Sequence, residues 1–531
     1  MSRIFSPKLF TLSKNGISKN QIKTDILSGI IVGIVALPLG IAFAVASGVS
    51  PERGLITPIF GGFLISFLGG SRVQIGGPTG AFIVVIYGIV ESYGYNGLII
   101  STVLAGLILV VFGLFKLGSL LKYIPHPLVV GFTTGIAVII FSTQIKDALG
   151  LDIQSVPPAF LDKWSLYIKN IKTVNISAML TTLATIIVIL LSNKYIKKIH
   201  GYFVAIILIT LVVHLFNIPV FTIESFFGDI SNNISFNLPE FKLSSIPVYF
   251  KPALTLAFLG SIVSLLSAVV TDGMIGGNHR SNTELIAQGI ANIVTPFFGG
   301  IPVTGAIART ATNVKNGGRT PIAGIAHSIT MLLIFLFLGK WAKLIPMSCL
   351  AGILIIVSYN MSEWRTFLTI IKTSTFDAAV LIITFLLTIL VNLTTAIEVG
   401  IVLSSLLFLK RMADSWKIVY EDSDTDKIDS YKDLPNGVGV YEIYGPLFFA
   451  TVKEYIEVIR NNDKNLKTLI IRFRHVPFID STGLHNLKDV LHLLSKKGIN
   501  THLSDVPESV KSDLLKHKII DPDKILDRFP Y

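Results

Sequence analysis

Two glycine- and proline-rich segments interrupt apolar stretches of the chain, and their residue types suit the binding of an anion. Residues 76–81 have the sequence Gly-Gly-Pro-Thr-Gly-Ala, and residues 299–306 contain Gly-Gly, Pro, Thr, Gly and Ala in the same order. Glycine and proline break helices, so we expect extended chain followed by a half-helix in each segment. A helix start presents free backbone N–H groups and the positive end of its dipole. Two such starts that face each other can bind an anion with few charged side chains.

The candidate substrate-binding residues are the small ones at these two helix starts. They are Thr79, Gly80 and Ala81 in the first segment and Thr304, Gly305 and Ala306 in the second. Small side chains let an anion approach the backbone closely. The hydroxyl groups of Thr79 and Thr304 either donate to the anion or cap their helices, and the sequence leaves both roles open.

Arg309 lies one turn into the second half-helix. A basic residue at membrane depth is costly, so it points to a function by default. The alternatives are an ion pair that joins two helices and a position that faces the cytoplasm.

The composition places both segments in a membrane. The chain has 531 residues, of which 51% are hydrophobic and 15% are charged, whereas soluble proteins carry about 25% charged residues. With a mean hydropathy of +0.68, these values predict an integral membrane protein and exclude a purely soluble enzyme. The net charge of +12 is typical of basic cytoplasmic loops. We predict no nucleic-acid binding, because the sequence has no basic stripe with interleaved aromatic residues.

Catalytic and metal chemistry find no support in the sequence. Cys349 is the only cysteine, so neither an intrachain disulfide nor a cysteine-based zinc or iron–sulfur site can form. The ten histidines show no ligand spacing, and no nucleophile stands in a pattern with a base. We therefore predict no enzyme activity, no metal and no cofactor.

Charge-free runs divide residues 1–410 into candidate membrane spans, which need about 20 apolar residues each. The runs are Ile26–Pro51, Gly54–Ser71, Val73–Val90, Ser92–Phe115, Tyr123–Ile145, Thr173–Asn193, Ile199–Ile223, Pro252–Thr271, Leu285–Ala308, Thr320–Gly339, Leu344–Ser362 and Ala378–Ile397, with a short last one at Val399–Leu409. The two interrupted segments lie about 225 residues apart, and matching breaks in two halves are typical of transporters. We predict fourteen transmembrane segments in a seven-plus-seven inverted repeat. The alternative is two unrelated glycine-rich bends.

Basic residues predict the orientation. Arg3, Lys8, Lys14, Lys19 and Lys23 precede the first span, so we expect a cytoplasmic N-terminus. An even number of spans returns the C-terminus to the same side. The protein is therefore expected to be a multi-pass protein of the cell membrane with both termini in the cytoplasm.

The composition changes sharply after Met412. We predict a cytoplasmic N-terminal segment at residues 1–24, a transmembrane domain at 25–412, a charged linker at 413–436 and a small α/β domain at 437–531. In the last of these, alternating and buried-type strands alternate with amphipathic helices. Its length of about 95 residues suffices for a core of its own.

Together these segments resemble the sulfate permease (SulP) family of anion transporters over nearly the whole chain. The motifs that carry the resemblance are Ala36–Phe43, Gly69–Arg72, Tyr123–Pro127 with Gly131–Thr133, Ser264–Val270, Ser281–Gly289 and Gly305–Asn313. The tail resembles a STAS domain through Asp480-Ser481-Thr482-Gly483-Leu484.

The resemblance implies transport by alternating access. A core of spans 1–4 and 8–11 would move against a gate of spans 5–7 and 12–14, and such proteins commonly form homodimers. The arginine that matches Arg309 adds positive potential to the anion site. Leu39 and Phe43 match positions that line this site, and many relatives have glutamine at the first of them. Either residue can instead be core.

One position departs from the family. Many bacterial relatives have an acid before the Ser-Leu-Leu of the eighth span, as a candidate sodium or proton site, and here that position is Val263. Valine cannot ionise, and the hydroxyl of Ser267 one turn later is a weak cation ligand. Coupling at this position is therefore not expected, which leaves anion exchange, coupling through another acid or uncoupled transport. The other acids near membrane depth are Asp272, Glu284 and Glu398.

In the STAS domain, Asp480 and Ser481 stand at a strand-to-helix turn. In related anti-sigma-factor antagonists the matching serine is phosphorylated, and phosphate is favourable at a helix start. The simpler interpretation is that both residues cap the helix. A cytoplasmic partner of this domain is also implied.

We expect a transporter of small anions, with sulfate first, bicarbonate second and C4-dicarboxylates third. One rival is a nucleobase permease of the same fold, against which Val263 and the STAS tail both count. The other rival is a membrane-tethered signalling protein whose STAS domain is the output and whose membrane part senses anions.

Overall fold

The computed structural model describes residues 5–14, 16–119, 125–153, 156–157, 159–195, 201–228, 234, 236, 246–391, 393–414, 417–422, 434–435, 437–460 and 466–530. Arg3, Tyr123, Ile124 and most of the predicted linker lie outside these residues. Contacts divide the chain into a membrane unit, Met1–Ile401, and a C-terminal unit, Val402–Tyr531. This division falls inside a continuous helix, so the predicted domain boundaries at 25, 412 and 437 stay predictions.

Helices form almost all of the membrane unit. In its first half they are α1 (Lys8–Lys14), α2 (Lys19–Ala46), α3 (Pro51–Thr57), α4 (Phe63–Leu68), α5 (Gly80–Leu114), α6 (His126–Leu149), α7 (Phe160–Lys169), α8 (Ile176–Tyr195), α9 (Gly201–Leu215) and α10 (Ile223–Phe227). In its second half they are α11 (Ile246–Ile275), α12 (Ser281–Val294), α13 (Ile307–Lys315), α14 (Ile322–Leu338), α15 (Met347–Met361), α16 (Trp364–Thr373), α17 (Thr375–Leu390) and α18 (Leu393–Asp414). Two short strands, β1 (Gly76–Gly77) and β2 (Thr304–Gly305), precede α5 and α13.

The helices are of the membrane-spanning type. Among the described residues, 5 helices are long and apolar enough to cross a bilayer, namely α2, α5, α6, α8 and α11. Shorter apolar helices include α9, α14 and α17. The unit is therefore a polytopic helical membrane protein, whereas the count of fourteen spans and the inverted repeat stay predictions.

Helix α5 contains a sharp break. Gly94 has φ 67° and ψ −178°, a conformation that interrupts a helix and that only glycine adopts without strain. The predicted spans Val73–Val90 and Ser92–Phe115 therefore continue into one another across a kink.

The core of the membrane unit is one large apolar cluster that joins α2, α5, α11 and α15. Fully buried members from these helices include Ala42, Ile83, Leu259 and Leu354. Helix α2 packs against α14, and α5 packs against both α11 and α12. These contacts bring β1 and β2 together in the middle of the unit.

The C-terminal unit is an α/β domain. Its strands are β3 (Lys417–Asp422), β4 (Val438–Tyr444), β5 (Thr468–His475), β6 (Asn500–Ser504) and β7 (Ile525–Leu526), and its helices after α18 are α19 (Val452–Arg460), α20 (Ser481–Lys496) and α21 (Glu508–Lys516). The described strands form a sheet in the order β3-β4-β5-β6-β7. Strand β3 pairs antiparallel to β4, and the other neighbours are parallel.

Strand β3 lies inside the stretch that composition assigns to a linker. Its sequence, Lys-Ile-Val-Tyr-Glu-Asp, is short and half charged, so the surrounding charges mask its strand pattern. Its backbone completes the sheet edge beside β4 from Lys417 to Asp422. The predicted linker at 413–436 therefore contains a strand at these six positions.

Candidate functional site

The two interrupted segments meet directly. Strands β1 and β2 pair antiparallel, with Gly76 opposite Gly305 and Gly77 opposite Thr304. The pair continues on one side, where the Ala306 N–H donates to the Ile75 carbonyl oxygen at 3.0 Å. We call this pair of strands, Gly76–Gly77 and Thr304–Gly305, the crossing. The two helices that follow therefore begin close together, as the sequence predicts.

The helix starts differ slightly from the prediction. Helix α5 begins at Gly80 with Thr79 as its extended N-cap. Helix α13 begins at Ile307 with Ala306 as its N-cap. The prediction that Thr304 and Gly305 open the second half-helix is wrong, because their backbone is held in strand β2 by pairing with β1.

Close approach explains two of the glycines. A Cβ atom at Gly77 would overlap the guanidinium group of Arg309, and one at Gly305 would overlap the amide group of Gln74. Only glycine at these positions lets the two strands and the flanking side chains occupy the same space.

Buried polar side chains hold the crossing in place. The Ile75 N–H donates to Thr310 Oγ1 at 3.1 Å, and Asn313 Nδ2 donates to the Val73 carbonyl oxygen at 2.8 Å. Asn292 binds both backbone groups of Val303, at 2.7 and 2.9 Å. We did not predict these roles from the sequence, although polar residues such as Asn292 inside an apolar run are the signal that could have revealed them.

Arg309 reaches from the second segment to the first. Its side chain is 3% exposed, and Nη2 donates to the carbonyl oxygen of Pro78. Its Nη1 has no hydrogen-bond partner, and no carboxylate pairs with it among the described residues. The ion pair that the sequence offers as an alternative is not found among the described residues, and the role of Arg309 at an anion site stays a prediction.

The two threonines have different environments. Thr79 Oγ1 is buried without a hydrogen-bond partner among the described residues and makes no capping bond. Thr304 Oγ1 donates to the Gly260 carbonyl oxygen at 2.9 Å, so it neither caps α13 nor remains free. Thr79 Oγ1 and Arg309 Nη1 are thus two unused donors beside the same crossing.

Leu39 and Phe43 lie on α2, which packs against both α5 and α13. Both are buried and belong to the same apolar cluster as Ala81. Their predicted role in lining the anion site is compatible with this position and stays a prediction.

The predicted coupling position carries no acid and no free oxygen. Val263 is half-buried on α11. Next to it, Ser264 Oγ accepts from Gln74 Nε2 at 2.7 Å, and Ser267 Oγ donates to Thr310 Oγ1 at 3.4 Å. Among the described residues, no group of His, Cys, Asp or Glu is placed to hold a metal ion.

Glu284 is a buried structural anchor. Its Oε2 accepts from the N–H groups of Gly70 and Ser71 at 2.8 and 3.0 Å. Its Oε1 accepts from the side-chain amides of Gln74 and Gln288, both at 3.0 Å. The carboxylate therefore ties the loop before β1 to helix α12.

The other two acids near membrane depth lie apart from the crossing. Asp272 binds His279 at 2.7 Å. Glu398 is exposed on α18 and has no ion-pair partner among the described residues.

In the C-terminal unit, Asp480 caps α20. Its Oδ1 accepts from the Gly483 N–H at 2.7 Å, and Oδ2 accepts from the Phe449 N–H at 3.0 Å. Ser481 is the first helical residue and is exposed. The cap thus belongs to the aspartate alone.

Comparison with known proteins follows the same division. A model described as the sulfate permease family matches residues 22–384, and one described as the STAS domain matches residues 432–523. YvdB, a candidate sulfate transporter of Bacillus subtilis (strain 168), is 39% identical over 484 residues, or 91% of each chain.

Two further proteins are similar over almost the full length. The bicarbonate transporter BicA of Picosynechococcus sp. is 28% identical over 542 residues, which cover 96% of this chain and 94% of BicA. The structure of SLC26A9 superposes with a TM-score of 0.86 over 98% of this chain and 91% of that one, and at 18% identity it shows a shared fold. The chain belongs to the sulfate permease family and carries a C-terminal STAS domain.

Proposed function

We propose that this protein transports inorganic anions across the cell membrane, with sulfate as the first substrate to test and bicarbonate as the second. The observation that carries the proposal is the crossing of β1 and β2, beside which Thr79 Oγ1 and Arg309 Nη1 are buried without partners among the described residues. A bound oxyanion would accept hydrogen bonds from both groups and from the start of α5.

The charge balance of the crossing supports an anion over a cation. Arg309 brings a positive charge, and the helix starts add the positive ends of two dipoles. The buried carboxylate of Glu284 is already satisfied by four donors. The names of the relatives, which refer to sulfate and to bicarbonate, support the same class of substrate. C4-dicarboxylates remain the third class to test.

The proposed mechanism is alternating access. The core of spans 1–4 and 8–11 carries the crossing and would move against the gate of spans 5–7 and 12–14. The proposal includes fourteen spans, cytoplasmic termini, a homodimer and a cytoplasmic partner of the STAS domain. It requires no covalent step, so the protein would act as a transporter and not as an enzyme.

The proposal also concerns ion coupling. Val263 supplies no charge where relatives have an acid, so transport would be independent of sodium and protons at this position. Anion exchange, coupling through another acid and uncoupled flux remain as the possible modes.

The test is uptake by proteoliposomes that contain the purified full-length chain. Labelled sulfate, bicarbonate and fumarate are each offered with and without gradients of sodium, pH and counter-anion. Saturable uptake of sulfate that a counter-anion accelerates is the expected result. Binding without any flux would instead favour the membrane-tethered sensor, and no binding of any anion would refute the proposal.

A further inference from the structure

A cavity lies in the membrane unit away from the crossing. Its volume is about 290 Å³, and it is lined by the end of α2, by Tyr87 of α5, by the last turns of α6 and by α15. Tyr87 is seven residues after the start of α5, a rise of about 10 Å along the helix. The cavity therefore lies at the end of α2 opposite to its N-terminus, on the predicted outer side.

Helix α7 brings a buried lysine to this cavity. Lys163 is 2% exposed and lines the cavity wall. It has no hydrogen-bond or ion-pair partner among the described residues. A lysine almost never lies so deep without a partner, because burial of an uncompensated ammonium group is costly.

The position of Lys163 is set by its neighbours on α7. Trp164 Nε1 donates to Ser142 Oγ of α6 at 3.2 Å, and the Trp164 ring packs against Phe160 and Tyr167. Across the cavity, Tyr87 Oη donates to the Val156 carbonyl oxygen at 2.9 Å. These contacts hold α7 against α6 while the lysine side chain lines the cavity.

Charges of both signs surround the cavity. Two ammonium groups, those of Lys146 and Lys163, line it together with a single carboxylate, that of Asp147. The Lys146 ammonium lies 5.2 Å above the Phe226 ring, so it is partly engaged there. The Glu91 carboxylate acts on Lys163 electrostatically but forms no ion pair with it among the described residues. The ammonium group therefore keeps its hydrogen-bond donors for a small oxyanion.

We propose that Lys163 forms a second anion-binding site, in which a small inorganic oxyanion is captured at the outer cavity before it reaches the crossing. The proposal rests on the proposed transport function. Burial also lowers the pKa of the Lys163 ammonium to about 8, and the Glu91 carboxylate opposes this shift only in part.

The first test uses sulfate uptake by proteoliposomes with the full-length chain. Lys163→Gln and Lys163→Met should raise the KM for sulfate roughly three- to tenfold, while kcat stays within about twofold. Lys163→Arg, which keeps the charge, should retain the wild-type KM. Lys169→Gln is the matched control, because Lys169 is an exposed lysine on the same helix.

The second test restores the charge chemically. Cys349 is the only cysteine and is buried, so a cysteine placed at Lys163 can be labelled selectively. Modification of Lys163→Cys with 2-aminoethyl methanethiosulfonate adds an ammonium group and should return the KM towards the wild-type value. The neutral reagent methyl methanethiosulfonate should not.

A third measurement separates this proposal from the transport function itself. Tryptophan fluorescence of the purified chain is titrated with potassium sulfate, and Trp164→Phe assigns the part of the signal that comes from α7. A saturable Trp164 signal that Lys163→Gln abolishes supports the site even if no flux is found. An unchanged KM in Lys163→Gln and no sulfate-dependent Trp164 signal would overturn it. A loss of thermal stability with an unchanged KM would equally overturn it, since Lys163 would then have a structural role only.

Discussion

The guanidinium group of Arg309 donates a hydrogen bond to the carbonyl oxygen of Pro78. This bond joins a residue of the second half of the membrane unit to the extended segment that precedes α5. One N–H group of the guanidinium thereby binds the backbone, whereas Nη1 has no hydrogen-bond partner among the described residues. The charge of α13 is thus fixed beside the start of α5, where an anion would meet both.

Replacement of Arg309 should reduce anion binding. We expect Arg309→Gln to lower kcat/KM for sulfate about tenfold or more, which corresponds to about 1.4 kcal/mol. The kcat/KM of Arg309→Lys should lie between those of the wild type and Arg309→Gln. Lysine keeps the charge but lacks the planar guanidinium that can bind Pro78 and an anion together. The measurement is uptake by proteoliposomes. Lys315→Gln, an exposed lysine at the end of α13, is the control, and equal losses in both variants would contradict the prediction.

The close contact at Gly77 should not tolerate a side chain. We expect Gly77→Ala to destabilise the protein by about 1–3 kcal/mol, since its Cβ atom would displace the Arg309 guanidinium. Gly88→Ala on α5 is the control, because nothing lies within 4 Å of a Cβ atom there. Two measurements, thermal unfolding in detergent and sulfate uptake by proteoliposomes, should each give lower values for Gly77→Ala than for Gly88→Ala. If both alanine variants behave like the wild type, the approach of Arg309 to Gly77 is not needed for stability or transport.

Glu284 should act through its charge and its four acceptor bonds. In Glu284→Gln, the amide NH₂ group must face either the backbone N–H groups of Gly70 and Ser71 or the amides of Gln74 and Gln288. Donors then face donors, so we expect a loss of about 2–4 kcal/mol in stability. Glu398→Gln, which alters an exposed acid, should change the unfolding temperature little. A neutral effect of Glu284→Gln would contradict the prediction and would indicate that the carboxyl group is already protonated.

An acid at position 263 should create ion coupling. We expect Val263→Glu to make sulfate uptake depend on pH or on sodium, because it places an ionisable group beside Ser264 and Ser267 on α11. Val263→Gln has a similar size and no charge, so it should leave both dependences as they are in the wild type. Uptake by Val263→Glu that responds to neither gradient would count against the assignment of this position.

Sulfate affinity should fall as the pH rises above neutrality. With a pKa of about 8, the Lys163 ammonium is about nine-tenths protonated at pH 7 and about one-tenth at pH 9. A bound anion favours the charged form, so the KM should rise over this interval, and Lys163→Gln should flatten the profile. The other titratable groups near the cavity are Tyr87 and Glu91 of α5, Lys146 and Asp147 of α6, and Asp162, Tyr167 and Lys169 of α7. A profile that keeps its shape in Lys163→Gln would assign the effect to one of those groups.

Local residue types alone decided the membrane character of the chain, the two helix breaks and the small α/β tail. The reason is that burial in lipid and helix termination depend on neighbours in sequence: apolar runs must span the bilayer, and clustered glycine and proline disfavour a continuous helix. The Asp480 cap follows from the same kind of local pattern, whereas the missing acid at Val263 is visible only through the resemblance to the family.

Contacts between distant residues were decided only by the tertiary structure. The pairing of Gly76 with Gly305, the bond from Thr304 to the Gly260 carbonyl and three of the four donors to Glu284 each join segments that are far apart in the chain. The short strand at Lys417–Asp422 forms because β4 supplies its partners, despite a charged composition that favours a linker. Lys163 shows the same limit: its sequence context is that of an ordinary amphipathic helix, and only the packing of α7 against α6 buries its charge.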